Sequence, residues 1–219
     1  MIFATNQTVT RLLLAGAAVI VLLRPPPANG EGTPAPRQTA IATFAGGCFW
    51  CMEPPFERLD GVLSTAVGYT GGHTKRPRYE EVSAGGTGHT ESVQVVYDPR
   101  KVSYTQLLDV FWHNIDPLTA NAQFCDHGEQ YRTAIFYHDE AQRRLAEESK
   151  RQLEGSKRFA GPIVTEIVPA SEFYPAEEYH QKYHQKNPAR YQYYRWRCGR
   201  DQRLKELWGA AAGETEDMR

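Results

Sequence analysis

The sequence predicts a mixed α/β fold in which helices pack on an open β-sheet. Two observations support this class. Between residues 39 and 208, β-branched or alternating segments take turns with amphipathic ones, in the order strand, helix, strands, helix, strand, helix, strand, helix. No internal repeat with a period typical of solenoids is visible. The length of 219 residues suits one domain of ordinary size with appendages.

The composition restricts the classes of function. The formal net charge is −1 at pH 7, so the chain lacks the basic excess of nucleic-acid-binding domains. Aromatic residues make up 11% of the chain and include 12 tyrosines. Tyrosine fills protein cores, but a polar pocket also uses it to stack and to donate a hydrogen bond.

The first 38 residues differ from the rest. Arg11 precedes an apolar run over residues 12–23, and a Pro-rich stretch typical of an extended linker follows. Twelve helical residues span roughly 18 Å, less than the ~30 Å hydrocarbon layer of a bilayer, so the run suits a signal-peptide core. The small residues 28–30 suit cleavage. Arg24, directly after the run, is unusual for a cleaved signal and leaves an uncleaved anchor as the alternative.

These features predict three regions of the chain and its cellular location. Residues 1–38 are the signal peptide or N-terminal anchor with its linker, residues 39–210 the folded domain, and residues 211–219 a flexible tail. We expect an exported bacterial protein, either periplasmic or held in the membrane by its N-terminus, and the alternative is a cytoplasmic protein whose start is misassigned.

The first predicted strand, residues 39–45, ends at a double glycine followed by Cys48. A helix is predicted next, since Pro54 and Pro55 suit a first turn and Gly61 suits its exit. Cys48 therefore lies where a strand turns into a helix, and unpaired backbone N–H groups there would lower the pKa of its thiol. The structural alternative is a small buried side chain. The neighbouring Phe49 and Trp50 either fill a core or form the wall of a pocket.

Four cysteines are present, and their spacing leaves several interpretations open. In an exported chain they could form two structural disulfides. The Cys48-x-x-Cys51 spacing instead favours a redox-active or metal-binding pair. A zinc site would need a second such pair, or a spaced histidine pair at the usual distance from the first, and the sequence has neither.

The next predicted strands bring a carboxylate to an apolar face. Residues 61–69 form one strand, and residues 90–97 form another after a Gly-rich loop. That loop precedes a strand rather than a helix, which weakens any phosphate-binding interpretation. In the second strand Glu91 shares the face of Val93 and Val95. Because buried carboxyls are rare unless they are paired or functional, Glu91 is a candidate site residue with a raised pKa.

The remaining elements follow from capping and periodicity. Ser103 caps an amphipathic helix, and Asp139 caps a charged one that ends near residue 153. Strands are predicted over 131–137 and 162–168, and helices over 175–186 and up to about residue 208. His180 and His184 lie four residues apart in the first of these helices, but Gln181 breaks the zinc-protease pattern, so a solvated face is expected.

Several motifs together resemble a known family. They are GCFWCMEPPFERLDGV, GYTGG, YEEVSAGGTGHTESVQVVYDP, QFCDHGEQYRTAIFY and FYPAEEYHQKYHQKNP, in this order over residues 41–208. They are similar to the A-type peptide methionine-S-sulfoxide reductases, without the B-type module. The resemblance implies a two-layer ferredoxin-like plait with a mixed sheet and the catalytic cysteine at a strand-to-helix junction. It also implies a monomer without cofactor or metal that reduces oxidised proteins, peptides and free methionine sulfoxide.

The resemblance also implies the site residues. Sulfoxide oxygen leaves only if it is protonated, so a nucleophilic thiol needs an acid and hydroxyl donors beside it. By resemblance, Cys48 is the nucleophile and Glu91 the acid. The other implied positions are oxygen-binding Tyr79 and Tyr131, Asp126 in the polar network, Phe49 and Trp50 around the substrate methyl group, and Tyr183 near the pocket.

A second thiol must condense with the sulfenic acid left on Cys48. Many relatives carry resolving cysteines shortly after the KNP motif, and this chain lacks them. We expect Cys198 to resolve the intermediate, with Cys51 as the alternative and Cys125 as a structural residue. The resulting Cys48–Cys198 disulfide would be reduced by thioredoxin or a thioredoxin-like protein.

Two other functions stay open from the residues alone. A general thiol–disulfide oxidoreductase would use Cys48 and Cys51. This function gives no role to Glu91, Tyr79 and Tyr131. A binding domain stabilised by disulfides or zinc would need no catalysis at all, and a metal analysis would detect its zinc.

Overall fold

The computed structural model describes Met1, Ile2 and residues 39–209. The predicted leader, linker and C-terminal tail thus lie almost wholly outside the described residues. Within the described part, no helix is both long enough and apolar enough to cross a membrane.

The centre of the fold is a six-stranded mixed sheet. The strands are, in chain order, β1 (Ala40–Gly46), β2 (Val62–Thr70), β3 (Thr90–Tyr97), β4 (Ala122–Gln123), β5 (Asp126–His127), β6 (Thr133–Tyr137), β7 (Glu166–Pro169) and β8 (Tyr174–Pro175). The sheet order is β7-β6-β1-β3-β2-β8, and β4 pairs separately with β5. Neighbouring strands of the sheet are antiparallel except for the parallel pair β6 and β7.

The helices connect these strands. They are α1 (Phe49–Glu57), α2 (Tyr79–Ala84), α3 (Tyr104–His113), α4 (Glu140–Gly155), α5 (Tyr183–Lys186), α6 (Pro188–Arg197) and α7 (Arg200–Trp208). Since β1 and β2 both run antiparallel to the β3 strand between them, they are parallel to each other, and α1 joins them. In the same way β3 and β6 are parallel on either side of β1. Two crossover units therefore interlock in one sheet.

The core forms where α1 and α3 pack on the sheet. Phe44 of β1 stacks on Phe56 of α1 with ring centroids 5.1 Å apart, and on Phe111 of α3 at 5.2 Å. All three side chains are fully buried. Ser103 caps α3 as predicted, and Gln106 completes a capping box with it. This packing fixes the start of α1 against the ends of β1 and β3, where the candidate site lies.

The structure differs from the sequence prediction in three places. The expected helix over 175–186 is mostly turn, with only the short α5 at its end, and β7 begins at Glu166 rather than at residue 162. Conversely, Tyr79 begins α2, which the sequence analysis did not predict. Tertiary contacts override weak local preferences in such short segments.

Candidate active site

Cys48 lies at the junction between β1 and α1, as the sequence predicted. Gly47 before it has φ +81°, and a side chain there would collide with Gln123, so this sharp turn requires glycine. The carbonyl of Cys48 accepts the backbone N–H groups of Cys51 at 3.0 Å and Met52 at 3.3 Å. The cysteine is therefore the N-cap of α1, held by the first turn of the helix.

Glu91 takes up the first free N–H of that helix. Its Oε2 accepts the backbone N–H of Phe49 at 3.0 Å, so the carboxyl group lies one residue away from Cys48. Glu91 is 3% exposed and pairs with Tyr69 in the sheet. Burial raises its pKa from 4.5 to about 8, against the lowering effect of the Phe49 hydrogen bond. A protonated carboxylic acid thus lies beside the cysteine at neutral pH.

The thiol of Cys48 does not have the low pKa that the helix N-terminus suggested. Burial raises its pKa well above 9.0, and the Cys51 thiol and the charges of Glu91 and Asp126 act in the same direction. The hydrogen bond from Cys48 lowers the pKa of Cys51 to about 7. The prediction of a low pKa for Cys48 was wrong, because burial of the thiol outweighs the effect of the helix N-terminus, whose first N–H, that of Phe49, donates to Glu91.

Tyr79 and Tyr131 supply hydroxyl groups near this pair. Tyr79 is the first residue of α2, and Tyr131 ends the 3-10 turn Glu129–Tyr131. Burial raises the pKa of each phenol, and negative charge on Glu91 or Cys48 raises it further. Both phenols stay protonated hydrogen-bond donors, and Glu91 and Cys48 act electrostatically on each of them.

Asp126, in β5, acts electrostatically on both Cys48 and Glu91. Its Oδ2 accepts the hydroxyl hydrogen of Tyr194 from α6. Burial raises the pKa of Asp126, while the Tyr194 hydrogen bond and Arg200 lower it. Asp126 therefore connects the nucleophile to the C-terminal helices.

An aromatic cluster lines the site next to α1. Trp50 stacks face to face on Tyr183 with centroids 3.7 Å apart, and its indole N–H donates to Nδ1 of His180 at 3.0 Å. Phe49 is 1% exposed and packs against Tyr69 and His180. Trp50 is half-buried, so it is the member of the predicted Phe49–Trp50 wall that reaches the surface.

The two histidines do not lie on a solvated face, contrary to the prediction. His180 is 1% exposed and contacts Phe49, Trp50, Tyr79 and Tyr179 through its ring. Burial lowers its pKa, so the ring is neutral, and its accepting Nδ1 places the hydrogen on Nε2. The other histidine, His184, is partly buried and lies 3.0 Å from Glu57 at the end of α1.

The cysteines pair differently from the predicted Cys48–Cys198 bridge. Cys198, which follows α6, is bonded to Cys125 in the loop between β4 and β5. Cys48 and Cys51 are free thiols, and both are buried. Cys198 therefore lies in a disulfide with the residue that the sequence analysis regarded as structural, and the resolving role of Cys198 stays a prediction.

Two further residues support the site and carried no signal in the sequence. Glu177 accepts the Tyr69 hydroxyl at 2.9 Å and the backbone N–H of Tyr79 at 2.8 Å, so it holds α2 at the pocket. Arg200 is 1% exposed, donates to the carbonyl of Asn114 at 2.6 Å and contributes to the low pKa of Cys51. In the sequence both belong to charged segments typical of solvent-exposed faces.

A thiol one residue from a protonated carboxyl group, with phenol donors around them, defines a thiol-dependent oxidoreductase. Comparison with known proteins gives the family. Residues 40–212 match the family model of peptide methionine sulfoxide reductase. The chain belongs to this family, as the motifs indicated, and its activity is the reduction of methionine sulfoxide.

Relatives and solved structures agree. The chain is 55% identical over 169 residues to peptide methionine sulfoxide reductase MsrA of Bacillus licheniformis, covering 77% of this chain and 93% of that one. The identity to MsrA of Bacillus subtilis is 53% over 170 residues, or 78% and 96% of the two chains.

The fold is similar to those of two solved structures. The reduced form of Mxr1 from Saccharomyces cerevisiae has a TM-score of 0.66 and 34% identity, over 70% of this chain and 88% of that one. Methionine sulfoxide reductase A of Corynebacterium diphtheriae has a TM-score of 0.62 and 37% identity, over 72% and 77%.

Proposed function

We propose that the chain reduces the S epimer of methionine sulfoxide, in proteins, in peptides and as the free amino acid, with Cys48 as the nucleophile. The observation that carries this proposal is the buried Glu91 carboxyl group, which has a pKa of about 8 and accepts the N–H of the residue next to Cys48. An acid in this place suits a reaction in which the oxygen must be protonated as the sulfur is attacked.

In the first step the sulfur of Cys48 attacks the sulfoxide sulfur. Glu91 gives its proton to the sulfoxide oxygen and takes up the proton that the Cys48 thiol loses. The oxygen passes to Cys48 as a sulfenic acid, and methionine leaves. Two electrons move from the cysteine sulfur to the methionine sulfur. The raised pKa of Glu91 keeps this acid protonated at neutral pH, and the Cys48 sulfur attacks as the thiolate that forms when its proton leaves.

The surrounding side chains bind and orient the sulfoxide. Tyr79 and Tyr131 donate hydrogen bonds to its oxygen, and their raised pKa values keep these donors protonated throughout the working pH range. Asp126 holds the polar network next to the thiol through its hydrogen bond with Tyr194. The methyl group lies against the Phe49–Trp50 wall, which Tyr183 supports by stacking on the indole.

A resolving thiol then condenses with the Cys48 sulfenic acid and releases water. Cys198 is the proposed resolving residue, because its sulfur lies 4.0 Å from Oδ2 of Asp126, whose charge acts on Cys48. Cys51 is the alternative, since its thiol is hydrogen-bonded to that of Cys48. Thioredoxin or a thioredoxin-like protein would reduce the product disulfide.

Two further proposals concern the fold and the cellular location of the protein. The strand order β6-β1-β3-β2, with both crossover units split by a central strand, supports the ferredoxin-like plait. The apolar run over residues 12–23 supports export. N-terminal sequencing of the protein recovered from periplasmic and membrane fractions of a bacterial host would test export. Recovery from the cytosol alone would contradict it.

The reaction is tested with separated epimers of a methionine sulfoxide peptide, dithiothreitol as reductant, and the Cys48→Ser variant. We expect turnover of the S epimer only and no turnover by the variant. Equal turnover of both epimers would overturn the stereochemical proposal, and full activity of Cys48→Ser would overturn the choice of nucleophile. A matched control is Tyr104→Phe, because the Tyr104 hydroxyl is buried without a hydrogen-bond partner among the described residues.

A further inference from the structure

We propose that Cys125 and Cys198, once their disulfide is reduced, join Asp126 in binding a thiophilic divalent cation of the Zn²⁺ class. The cation is a reversible ligand of the reduced chain and takes no part in the chemistry at Cys48. Its binding does not depend on the proposed function, whereas its effect on turnover rests on that function.

The three residues supply a set of donor atoms that suits zinc. The sulfur of Cys125 lies 3.8 Å from Oδ1 of Asp126, and the sulfur of Cys198 lies 4.0 Å from Oδ2. Ligand atoms of all three residues lie within 4.8 Å of one another. Two ligand atoms bound tetrahedrally to one Zn²⁺ lie about 3.5 to 4 Å apart. The Cα atoms of the two cysteines lie 5.0 Å apart, so rotation of the side chains after reduction brings the sulfurs to this separation.

The hydrogen bonds around these atoms favour metal ligation. The backbone N–H of Cys125 donates to the sulfur of Cys198 at 3.2 Å, and such a donor stabilises negative charge on the sulfur. The Tyr194 hydroxyl donates to Oδ2 of Asp126, so Oδ1, which lies beside the Cys125 sulfur, is available to a cation. Outer hydrogen bonds of this kind orient the ligating side chains of metal sites.

The loop between β4 and β5 is held in place without the disulfide. Gln123 is fully buried, accepts the backbone N–H of Asp116 at 2.9 Å and donates to the Asp116 carbonyl at 2.6 Å. The guanidinium group of Arg200 lies 4.4 Å from the centre of the Phe124 ring. Neither contact involves a sulfur atom, so the loop should keep its position when the disulfide opens.

Cys198 is held from the other side by the two C-terminal helices. Arg200 and Trp208 are buried and anchor α7 in the core. Arg195 of α6 donates to Asp201 of α7 at 2.8 Å, which ties the helices together on either side of Cys198. Reduction therefore leaves both halves of the site within reach of each other, and a preorganised site costs less to order on binding.

The exposure of the three residues suits a cation that exchanges. Cys125 is exposed to solvent, whereas Asp126 and Cys198 are half-buried. A bound ion would have three protein ligands and one side open to water. Structural zinc sites are closed by four protein ligands, so this site should load and release its cation reversibly.

Binding is coupled to the redox state of the pair. A dithiol such as dithiothreitol supplies the two electrons and two protons that turn the disulfide into two thiols. The cation then displaces the two thiol protons, and no further electrons move. Oxidation of the pair releases the cation, because thiolates are the ligands that hold it.

Under the proposed function, the cation would also stop the catalytic cycle after its first step. Cys198 is the proposed resolving thiol, and Asp126 acts electrostatically on Cys48. While the cation holds Cys198, this thiol cannot condense with a sulfenic acid on Cys48. We therefore expect Zn²⁺ to permit release of methionine and to prevent formation of the Cys48–Cys198 bridge.

The test uses the full chain, reduced with a phosphine and then desalted under nitrogen, with Co²⁺ as a spectroscopic probe. We expect about one Co²⁺ per chain, with the absorption of tetrahedral cobalt thiolate and displacement by Zn²⁺. The Cys48→Ser/Cys51→Ser variant should bind equally well, and Cys125→Ser/Cys198→Ser should not bind. A signal that disappears in the former and persists in the latter would overturn the site.

Two substitutions with little change in shape test the carboxylate. Tyr194→Phe should weaken Zn²⁺ binding about 10- to 100-fold, as is usual for outer hydrogen-bond partners of metal ligands, and Asp126→Asn should weaken it at least as much. Tyr193→Phe is the matched control, because Tyr193 is exposed on the same helix. Equal affinity of wild type and Asp126→Asn would reduce the site to chelation by two free thiols and overturn the proposal.

A measurement on the wild type keeps the inference testable if the cysteine variants do not fold. Zn²⁺ should protect Cys125 and Cys198 of the reduced chain from alkylation, as mapped by mass spectrometry. Alkylation of Cys125 at the same rate with and without Zn²⁺ would contradict binding.

Activity separates this inference from the proposed function. The reduced chain is given methionine-S-sulfoxide peptide without reductant, with and without Zn²⁺. No methionine in the absence of Zn²⁺ would overturn the proposed function and leave the cation site standing. Normal formation of the Cys48–Cys198 bridge with Zn²⁺ bound would overturn the effect on turnover.

Discussion

Replacing Glu91 with Gln removes the acid while keeping the shape of the side chain. The amide oxygen of Gln can still accept the Phe49 N–H, so the start of α1 should stay in place. The variant lacks the acidic proton of the carboxyl group. Glu91 is only 3% exposed, and this burial keeps the carboxyl group protonated. The variant therefore separates the packing of the residue from its chemistry.

The structure gives the size of both effects. General acids contribute about 10²- to 10⁴-fold to a rate, so kcat/KM for the S sulfoxide should fall by about that factor. The variant should lose activity but become more stable than the wild type as the pH rises. Because the pKa of Glu91 is raised from 4.5 to about 8, the unfolded chain loses this proton near pH 4.5 and the folded chain keeps it until pH 8. Between those values the native state is progressively destabilised as pH rises, by about 3 kcal/mol from pH 5 to pH 8.

The assay is urea unfolding of the wild type and Glu91→Gln at pH 5 and pH 8, next to steady-state kinetics with dithiothreitol. The free energy of unfolding of the variant minus that of the wild type should be about 3 kcal/mol larger at pH 8 than at pH 5. A variant with near-normal kcat/KM, or a stability difference that is the same at both pH values, would refute a protonated Glu91.

Three other variants test the surroundings. Tyr131→Phe should lower kcat about 10²-fold through loss of a donor to the sulfoxide oxygen, with Tyr104→Phe as the unaffected control in the same kinetic assay. His180→Leu removes the acceptor of the pocket indole, so KM should rise more than kcat falls and one indole N–H signal should shift in NMR spectra; an unshifted spectrum would contradict the contact. Lys182→Met leaves the fully buried Glu53 without the ammonium group 3.1 Å away, and urea unfolding should show a loss of about 3 kcal/mol; an unchanged midpoint would contradict this pairing.

The patterns that predicted most are those set by short-range geometry. The alternation of β3 placed Glu91 among apolar neighbours, and the glycines before Cys48 placed it at a strand-to-helix turn, and the structure has both features. Period-2 alternation and positive φ values are local properties of the chain, so a single sequence reveals them.

What the sequence could not predict depends on residues far apart in the chain. The raised pKa of Cys48 comes first from burial of its thiol, and Glu91 takes the Phe49 amide across 42 residues, and no local rule anticipates either contact. His180 was placed on a solvated face because its own segment is polar, but the aromatic rings that bury it come from α1 and α2. The partner of Cys198 likewise depends on how the loop between β4 and β5 folds back toward α6.

The most direct test of the central claim is chemical trapping of the intermediate. The Cys51→Ser/Cys198→Ser double variant lacks both proposed resolving thiols. Prereduced and given one equivalent of methionine-S-sulfoxide peptide with dimedone present, it should release one methionine and carry one dimedone adduct, located on Cys48. Release of methionine with Cys48 unmodified, or an adduct on Cys125 alone, would contradict the account.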